Sequence, residues 1–353
     1  MRHTVLRTVA AGWLVTCAIA STSRAGDPGS AGATFLKVPV DARPAAMGEA
    51  YTAAGFGVAA LSYNPAGIAW GPWSEISFMH DLQSVGSGAP NTNLEYLGAA
   101  IPIPGIGTAA VQFRLQSYGS NPGYDPYGQA LPNWDASDSA IGLAYARAIE
   151  LGGGQMALGG GIQVVRVGVA DVSSSFAPSL DLGGRYRTKV PGLELGASLL
   201  HLGPGVTLGA KSSPQPITAR LGGSFGLGFG APQDGSAPGF ETLLAMDVGI
   251  PSDHGAWVGL GLEAAYREMG FFRIGYRSGV DQGGAAGFGL GGGFRYDSAT
   301  AGGSLDLSYH PAGVVGSQLR LSISLRYLLF APAPAHAAPP ATPAKGTPLP
   351  AKR

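Results

Sequence analysis

The sequence predicts an all-β protein, a transmembrane antiparallel β-barrel of about 14 strands, preceded by a small unit containing short helices. Three observations carry this. Charged residues are only 12%, about half the usual share, while Gly makes up 58 of 353, more than twice its usual share. Beyond residue 25 no apolar run approaches the roughly 18 residues that a membrane helix needs. From Ser74 onward, apolar and polar residues alternate in stretches of about 10–14, separated by Gly, Pro, Asn, Asp and Ser.

Residues 1–25 read as a secretory signal peptide. Arg2 and Arg7 give a basic start, Val9 to Ala20 an apolar stretch, and Ser23-Arg24-Ala25 a small-x-small cleavage site. The single cysteine, Cys17, lies inside this segment, so the exported chain is expected to have no disulfide and no thiolate metal site. Losing Arg2, Arg7 and Arg24 takes the formal charge from 0 to −3, since 19 basic residues then face 22 acidic ones. That balance argues against a nucleic-acid partner.

Residues 26–73 differ in texture. Arg43 to Ala54, rich in Ala with Met47 and Glu49 and with Pro44 near a first turn, predicts a short helix. Ala59 to Tyr63 predicts another, ended by Asn64-Pro65. Nothing here alternates with period two.

The barrel is expected over residues 74–330. Its fourteen strands are expected at 74–83, 93–103, 106–118, 137–149, 155–169, 176–188, 193–203, 216–228, 240–251, 256–268, 270–279, 284–297, 300–311 and 317–330. An even number returns both ends of the wall to the periplasm. The last strand sets the pattern. Leu319, Leu321, Ile323, Leu325 and Tyr327 share the face meant for outer-membrane lipid. Gln318, Arg320, Ser322, Ser324 and Arg326 share the lumenal face. In 155–169 the alternation slips near Arg166, which predicts a bulge or an early membrane exit. Inward charges of both signs, Asp181, Asp247, Glu263 and Asp306 against Arg185, Arg273, Arg277, Arg295 and Arg320, are expected to pair and stiffen the wall.

Parity makes 120–135 (SNPGYDPYGQALPNWD) an extracellular loop and leaves 229–239 a turn on either side. Residues 331–353, rich in Ala and Pro, should form a disordered or polyproline-like periplasmic tail.

No enzyme chemistry is legible. The Gly-rich runs 152–161, 222–230 and 287–293 have strands on both sides, whereas a dinucleotide fingerprint needs a helix after it. Glycine there suits close strand approach instead. No histidine among His3, His80, His201, His254, His310 and His336 sits at metal spacing with a second ligand. No nucleophile elbow is read, so no catalytic residue, cofactor or metal is assigned.

Two motifs carry a family resemblance: Phe35–Ala53 (FLKVPVDARPAAMGEAYTA) and Ala60–Ala69 (ALSYNPAGIA). Together they resemble the N-terminal signature of the PorV/PorQ family, within the wider FadL-like group of outer-membrane barrels. The runs Arg273–Arg277, Gly287–Arg295, Leu305–Tyr309 and Leu319–Tyr327 resemble its end. The resemblance implies a fourteen-strand barrel whose N-terminal segment folds into the lumen as a plug. It departs at the tail after Phe330, and Leu329 rather than Phe330 continues the lipid-facing parity.

Two functions compete. A FadL-like transporter would pass hydrophobic small molecules along an apolar path touching Phe35, Met47, Gly48, Tyr51, Phe56, Leu61, Asn64, Pro65 and Gly67. A PorV-like component of a type IX-like secretion system would instead bind cargo or translocon through loops such as 120–135. A porin passing polar solutes fits less well, because a plug would obstruct it.

Overall fold

A computed structural model describes residues 29–85, 92–169, 173–229, 239–279, 287–311 and 316–330. The expected signal peptide and the tail 331–353 lie outside the described residues.

Fourteen strands close into one antiparallel barrel. The first seven are β1 (Ser74–Val85), β2 (Thr92–Ile103), β3 (Gly107–Tyr124), β4 (Ala130–Leu151), β5 (Gly154–Val169), β6 (Ser173–Arg187) and β7 (Leu193–Leu202). A separate ribbon, β8 (Val206–Leu208) with β9 (Lys211–Ser213), interrupts the connection that follows. The wall resumes with β10 (Thr218–Phe229), β11 (Phe240–Pro251), β12 (Trp257–Tyr266) and β13 (Gly270–Arg277). It ends with β14 (Phe288–Asp297), β15 (Ala301–Pro311) and β16 (Ser317–Tyr327). β16 pairs with β1 from Tyr327↔Ser74 to Ser317↔Val85, so no edge strand is left open.

The period-two pattern sets the two faces. On β16, Leu321, Ile323, Leu325 and Tyr327 face outward, while Arg320 and Ser322 are each 1% exposed within the lumen. A closed barrel with an apolar outer belt and a polar interior is an outer-membrane protein of a Gram-negative-type bacterium. The short turns 104–106, 152–153, 267–269 and 298–300 lie at the end where β1 starts and β16 finishes, which is the periplasmic end. β10 and β11 pair down to Phe229↔Phe240, so the connection 229–239 belongs to this end, although residues 230–238 lie outside the described residues.

Three expectations need correction. Residues 120–135 are not a loop. β3 and β4 keep pairing to Tyr124↔Ala130, and only 125–129 turn. There the Asp125 carboxylate accepts the Tyr127 and Gln129 N–H groups at 2.9 and 2.8 Å. The turn chemistry was read correctly but spread over too many residues. No bulge occurs at Arg166, because β5 pairs without a break with both neighbours. Arg166 sits near the extracellular end of β5 and reaches the Ser137 carbonyl at 3.4 Å. Register shifts lie instead between β6 and β7 at Leu180/Leu182, beside His201 with φ 62°, between β3 and β4 at Ser117/Ser120 and Asn121/Gly123, and between β1 and β16 at Leu82/Val85.

The third correction concerns the helix expected over 43–54. It spans only Ala42–Ala46. The Asp41 side chain caps it, accepting the Arg43 N–H at 2.9 Å. Gly48 and Glu49 then turn left-handed, with φ 60° and 61°, which ends it. Two 3-10 turns follow, Val58–Ser62 and Pro65–Ala69, the second capped by the Asn64 side chain on the Ala66 N–H.

This N-terminal segment packs against the inner wall. The helix touches β13 to β16, the turn Val58–Ser62 touches β1 to β3, and Pro65–Ala69 touches β3 to β6. Its apolar side chains join the wall in three clusters. One groups Val58, Leu61 and Ile68 with Met79, Leu94 and Tyr96. Another sets Phe35 and Leu36 against Val165, Val167 and Val206. The third holds Met47, Tyr51, Ala60 and Tyr63 with Ala245.

Candidate functional site

The lumen is the site, and two kinds of contact hold the N-terminal segment in it. The first is close backbone approach. Gly48 lies so near the wall that an added Cβ would stand 2.5 Å from the Tyr276 carbonyl oxygen and 2.7 Å from that of Leu260. Opposite it, the inward glycines Gly259, Gly261 and Gly275 leave room for the Met47–Gly48 backbone. These inward glycines make room for the backbone of the N-terminal segment, whereas the sequence reading expected the glycine runs 152–161, 222–230 and 287–293 to ease strand approach.

The second is a set of buried ion pairs. Arg43 grips Glu263 with two hydrogen bonds, Nε to Oε2 at 2.7 Å and Nη2 to Oε1 at 2.8 Å. Arg273, directly across the strand pair from Glu263, donates to the same oxygen at 2.5 Å and to Asp306 Oδ1 at 2.5 Å. That last contact crosses β14 over Gly293, where a Cβ would collide with the Asp306 carboxylate. Asp247 Oδ2 accepts the backbone N–H of Tyr51 at 3.1 Å and of Thr52 at 2.9 Å, the Thr52 hydroxyl at 2.5 Å and Arg220 Nη2 at 2.9 Å. Arg277 meets Glu49 at 2.8 Å, Lys37 meets Asp253 at 2.5 Å, and Arg320 meets Asp81 at 3.0 Å. Burial opposes charge on Arg43, yet the Glu263 carboxylate holds it protonated above its ordinary value. Burial, with Asp306 nearby as the second cause, pushes the Asp41 carboxyl up to about 6.

Of the expected wall charges, Glu263, Arg273 and Asp306 pair with one another. Asp247, Arg277 and Arg320 find partners the sequence reading did not name: Thr52 and Arg220, Glu49, and Asp81. Arg295 has no carboxylate partner among the described residues and lies 5.2 Å from the Phe56 ring and 4.9 Å from the Phe271 ring. Asp181 and Arg185 do not meet. Asp181 takes the His201 N–H and the Gln163 amide, while Arg185 reaches Glu194 and the Gly55 carbonyl.

The expected path residues are dispersed. Phe35, Leu61 and Met47 with Tyr51 belong to three different clusters, each at most 2% exposed. Asn64 holds the segment together, donating to the Thr52 and Gly184 carbonyls at 2.9 and 3.0 Å, with Pro65 opening the turn it caps. Gly67 is needed because a Cβ would stand 2.5 Å from Ala60 Cβ. Only Phe56 faces a large cavity, a vestibule of about 700 Å³ at the periplasmic end, lined also by Trp70, Trp73, Glu241, Phe271 and Arg295.

Gly222-Gly223-Ser224-Phe225-Gly226 has the spacing of a nucleophile elbow, which the sequence reading passed over. It lies within β10, paired on both sides, so no strand-to-helix turn presents Ser224. Among the described residues no three His, Cys, Asp or Glu side chains could hold a metal ion.

No family description matches the chain, and no curated protein matches it. Solved structures do. The deltaS2 mutant of the TodX monoaromatic hydrocarbon channel superposes with a TM-score of 0.51 at 12% identity, over 82% of this chain and 98% of that one. The CymD monoaromatic hydrocarbon channel superposes at 0.50 and 12% identity, over 82% and 97%. A Pseudomonas aeruginosa FadL homologue superposes at 0.46 and 11% identity, over 86% and 98%. At such identities the likeness is one of fold. The class is a closed fourteen-strand outer-membrane β-barrel.

Proposed function

We propose that the chain is an outer-membrane transporter for small hydrophobic molecules, with residues 26–73 acting as its plug. The observation that supports this is the N-terminal segment packed against the inner wall. Its apolar clusters and paired charges suit gated passage of a small apolar solute better than a standing aqueous pore. The fold shared with two monoaromatic hydrocarbon channels supports the reading. Since Phe35, Met47, Tyr51 and Leu61 are packed rather than lining an open route, passage requires the segment to shift.

One observation favours the PorV-like reading. The β3–β4 ribbon carries Tyr124, Tyr127 and Trp134, 63%, 89% and 40% exposed, which could dock a secreted protein. Otherwise that reading rests on the motifs alone.

Native mass spectrometry of the protein, gently extracted from outer membranes, separates the two. A hydrophobic small molecule on the monomer is the expected result. A stoichiometric protein partner on an empty barrel would sink the transporter reading.

A further inference from the structure

The contacts that hold the N-terminal segment are unevenly distributed around the barrel. Among the described residues, its ion pairs with the wall all lie on one side. Lys37 meets Asp253 just after β11, Arg43 meets Glu263 on β12, and Glu49 meets Arg220 on β10 and Arg277 on β13. Toward β1 to β5 the segment meets apolar side chains instead. In the extracellular half, Phe35 and Leu36 pack on Ala140, Val165 and Val167. Nearer the periplasm, Val58, Leu61 and Ile68 pack on Met79, Leu94 and Ala146. Polar ties on this side are hydrogen bonds to neutral groups, such as Tyr96 to the Val58 carbonyl at 3.1 Å and Arg114 to the Leu36 carbonyl at 3.1 Å. Parting a buried ion pair strands a charge, whereas parting two apolar faces costs little when an apolar guest fills the gap. The ion-paired side is therefore the hinge, and the apolar side is the seam.

The seam has an outlet. β4 links its parts, with Ala140 in the upper cluster, Ala146 in the lower one, and Ala148 in a groove of about 620 Å³ on the periplasmic rim. Ala69, Pro72, Ile103, Ile106 and Phe330 also line that groove. Ala69 packs against the lower cluster as well, so groove and seam are continuous. Ile103, Ile106 and Phe330 are exposed, and the groove opens where the rim meets lipid. Beside the seam the wall is paired residue by residue. β2 joins β3 from Asn93↔Ser117 to Ile103↔Gly107, and β4 joins β5 from Ala136↔Val169 to Leu151↔Gly154. A guest in the seam therefore stays inside the barrel until it reaches the rim.

We propose that apolar solutes cross between the N-terminal segment and β1 to β5 and leave by the rim groove, while ion pairs to β10 through β13 keep the segment anchored. The inference rests on the transport reading and adds the route to it.

The test is uptake of N-phenylnaphthylamine, an apolar dye that fluoresces on reaching lipid, by cells expressing the full chain. An added Cβ at Gly98 on β2 would press on Val58 Cγ1, so cysteines at the two positions lie within reach of a disulfide across the seam. Cys17, the only native cysteine, lies in the expected signal peptide. When oxidised, Val58→Cys with Gly98→Cys should lose the uptake that the wild type adds over cells lacking the protein, and reduction should restore it. Ala148→Trp, in the groove, should lower uptake with no disulfide present. Gly226→Trp, in the vestibule on the β10 side, should leave it unchanged, since a Cβ there meets nothing within 4 Å. Beside an active wild type, undiminished uptake by the oxidised pair would overturn the route alone. If the pair stays inactive after reduction, Ala148→Trp decides, and unchanged uptake there overturns the route. A wild type no faster than cells lacking the protein would overturn the transport reading and the route with it.

Discussion

At the scale of single residues, two side chains show how position overrides composition. Asp41 caps the short helix, yet it does so buried, with its carboxyl raised from 3.8 to about 6. A carboxyl raised on folding binds its proton more tightly in the native state. Its stabilising contribution is therefore complete below pH 3.8 and is lost as pH rises through about 6. Asp41→Asn keeps an oxygen for the cap and removes the titration. Relative to the wild type, it should gain up to about 2–3 kcal/mol between pH 4 and pH 7, read as a guanidinium midpoint shift. A gap that stays constant over that range would clear Asp41 of the effect. Gly48 makes the complementary point. Its left-handed φ and the carbonyl oxygens of Leu260 and Tyr276 leave no space for a methyl group. Gly48→Ala should cost more than about 1–2 kcal/mol, seen as a lower unfolding midpoint. Neither result could be foreseen from the residue type. Gly48 stood out in a motif, but the wall that confines it comes from strands more than 200 residues away.

At the scale of elements, the strands were the most legible part. Period-two alternation states which side chains face lipid, and that requirement is local, so β16 reads directly from its sequence. Ile323→Lys on the lipid face should destabilise the barrel by about 2–4 kcal/mol near mid-membrane, while Ser324→Lys on the lumenal face should cost clearly less. Comparing the two by heat-modified gel migration in lipid checks the assignment. The short elements were harder to read. The helix was drawn too long because a run of good helix formers carries no sign that Gly48 and Glu49 will turn left-handed, a choice made by the wall they meet. The β3–β4 ribbon was hidden for the opposite reason. Pro, Gly and Asn at 121–133 argue for a loop, and pairing across the two long strands overrides them. A chain lacking 120–134 should still close its barrel, since the ring closes between β1 and β16. Loss of the folded gel band in that variant would show that the ribbon is structural.

At the scale of the whole molecule, the sequence disclosed which wall residues carry charge but not whom they meet. Some of the pairs cross from the wall to the N-terminal segment, as Arg43 to Glu263 and Glu49 to Arg277 do, over separations of 220 and 228 residues. Spacing along a strand cannot reveal such partners. The consequence for gating is concentrated at Asp247, which receives four hydrogen bonds on one oxygen. Asp247→Ala should leave Arg220 with only the Glu49 carboxylate, 3.8 Å away, at a cost of up to about 3–5 kcal/mol, enough to loosen the segment. In a planar bilayer the wild type should be nearly silent and the variant should conduct in bursts. A large, steady conductance from the wild type would contradict a sealed lumen.

The same pairs bear on biogenesis. Asp247, Glu263, Arg273 and Asp306 lie on inward faces of β11, β12, β13 and β15, while Arg43 and the donors at Tyr51 and Thr52 come from residues synthesised before any strand. A ring sealed around nothing would strand the Glu263 and Asp247 carboxylates against incomplete partners, and no later insertion could thread the segment past the closed hoop. These contacts favour assembly in which the sheet forms around the segment, with the β1–β16 seam closing after it is in place.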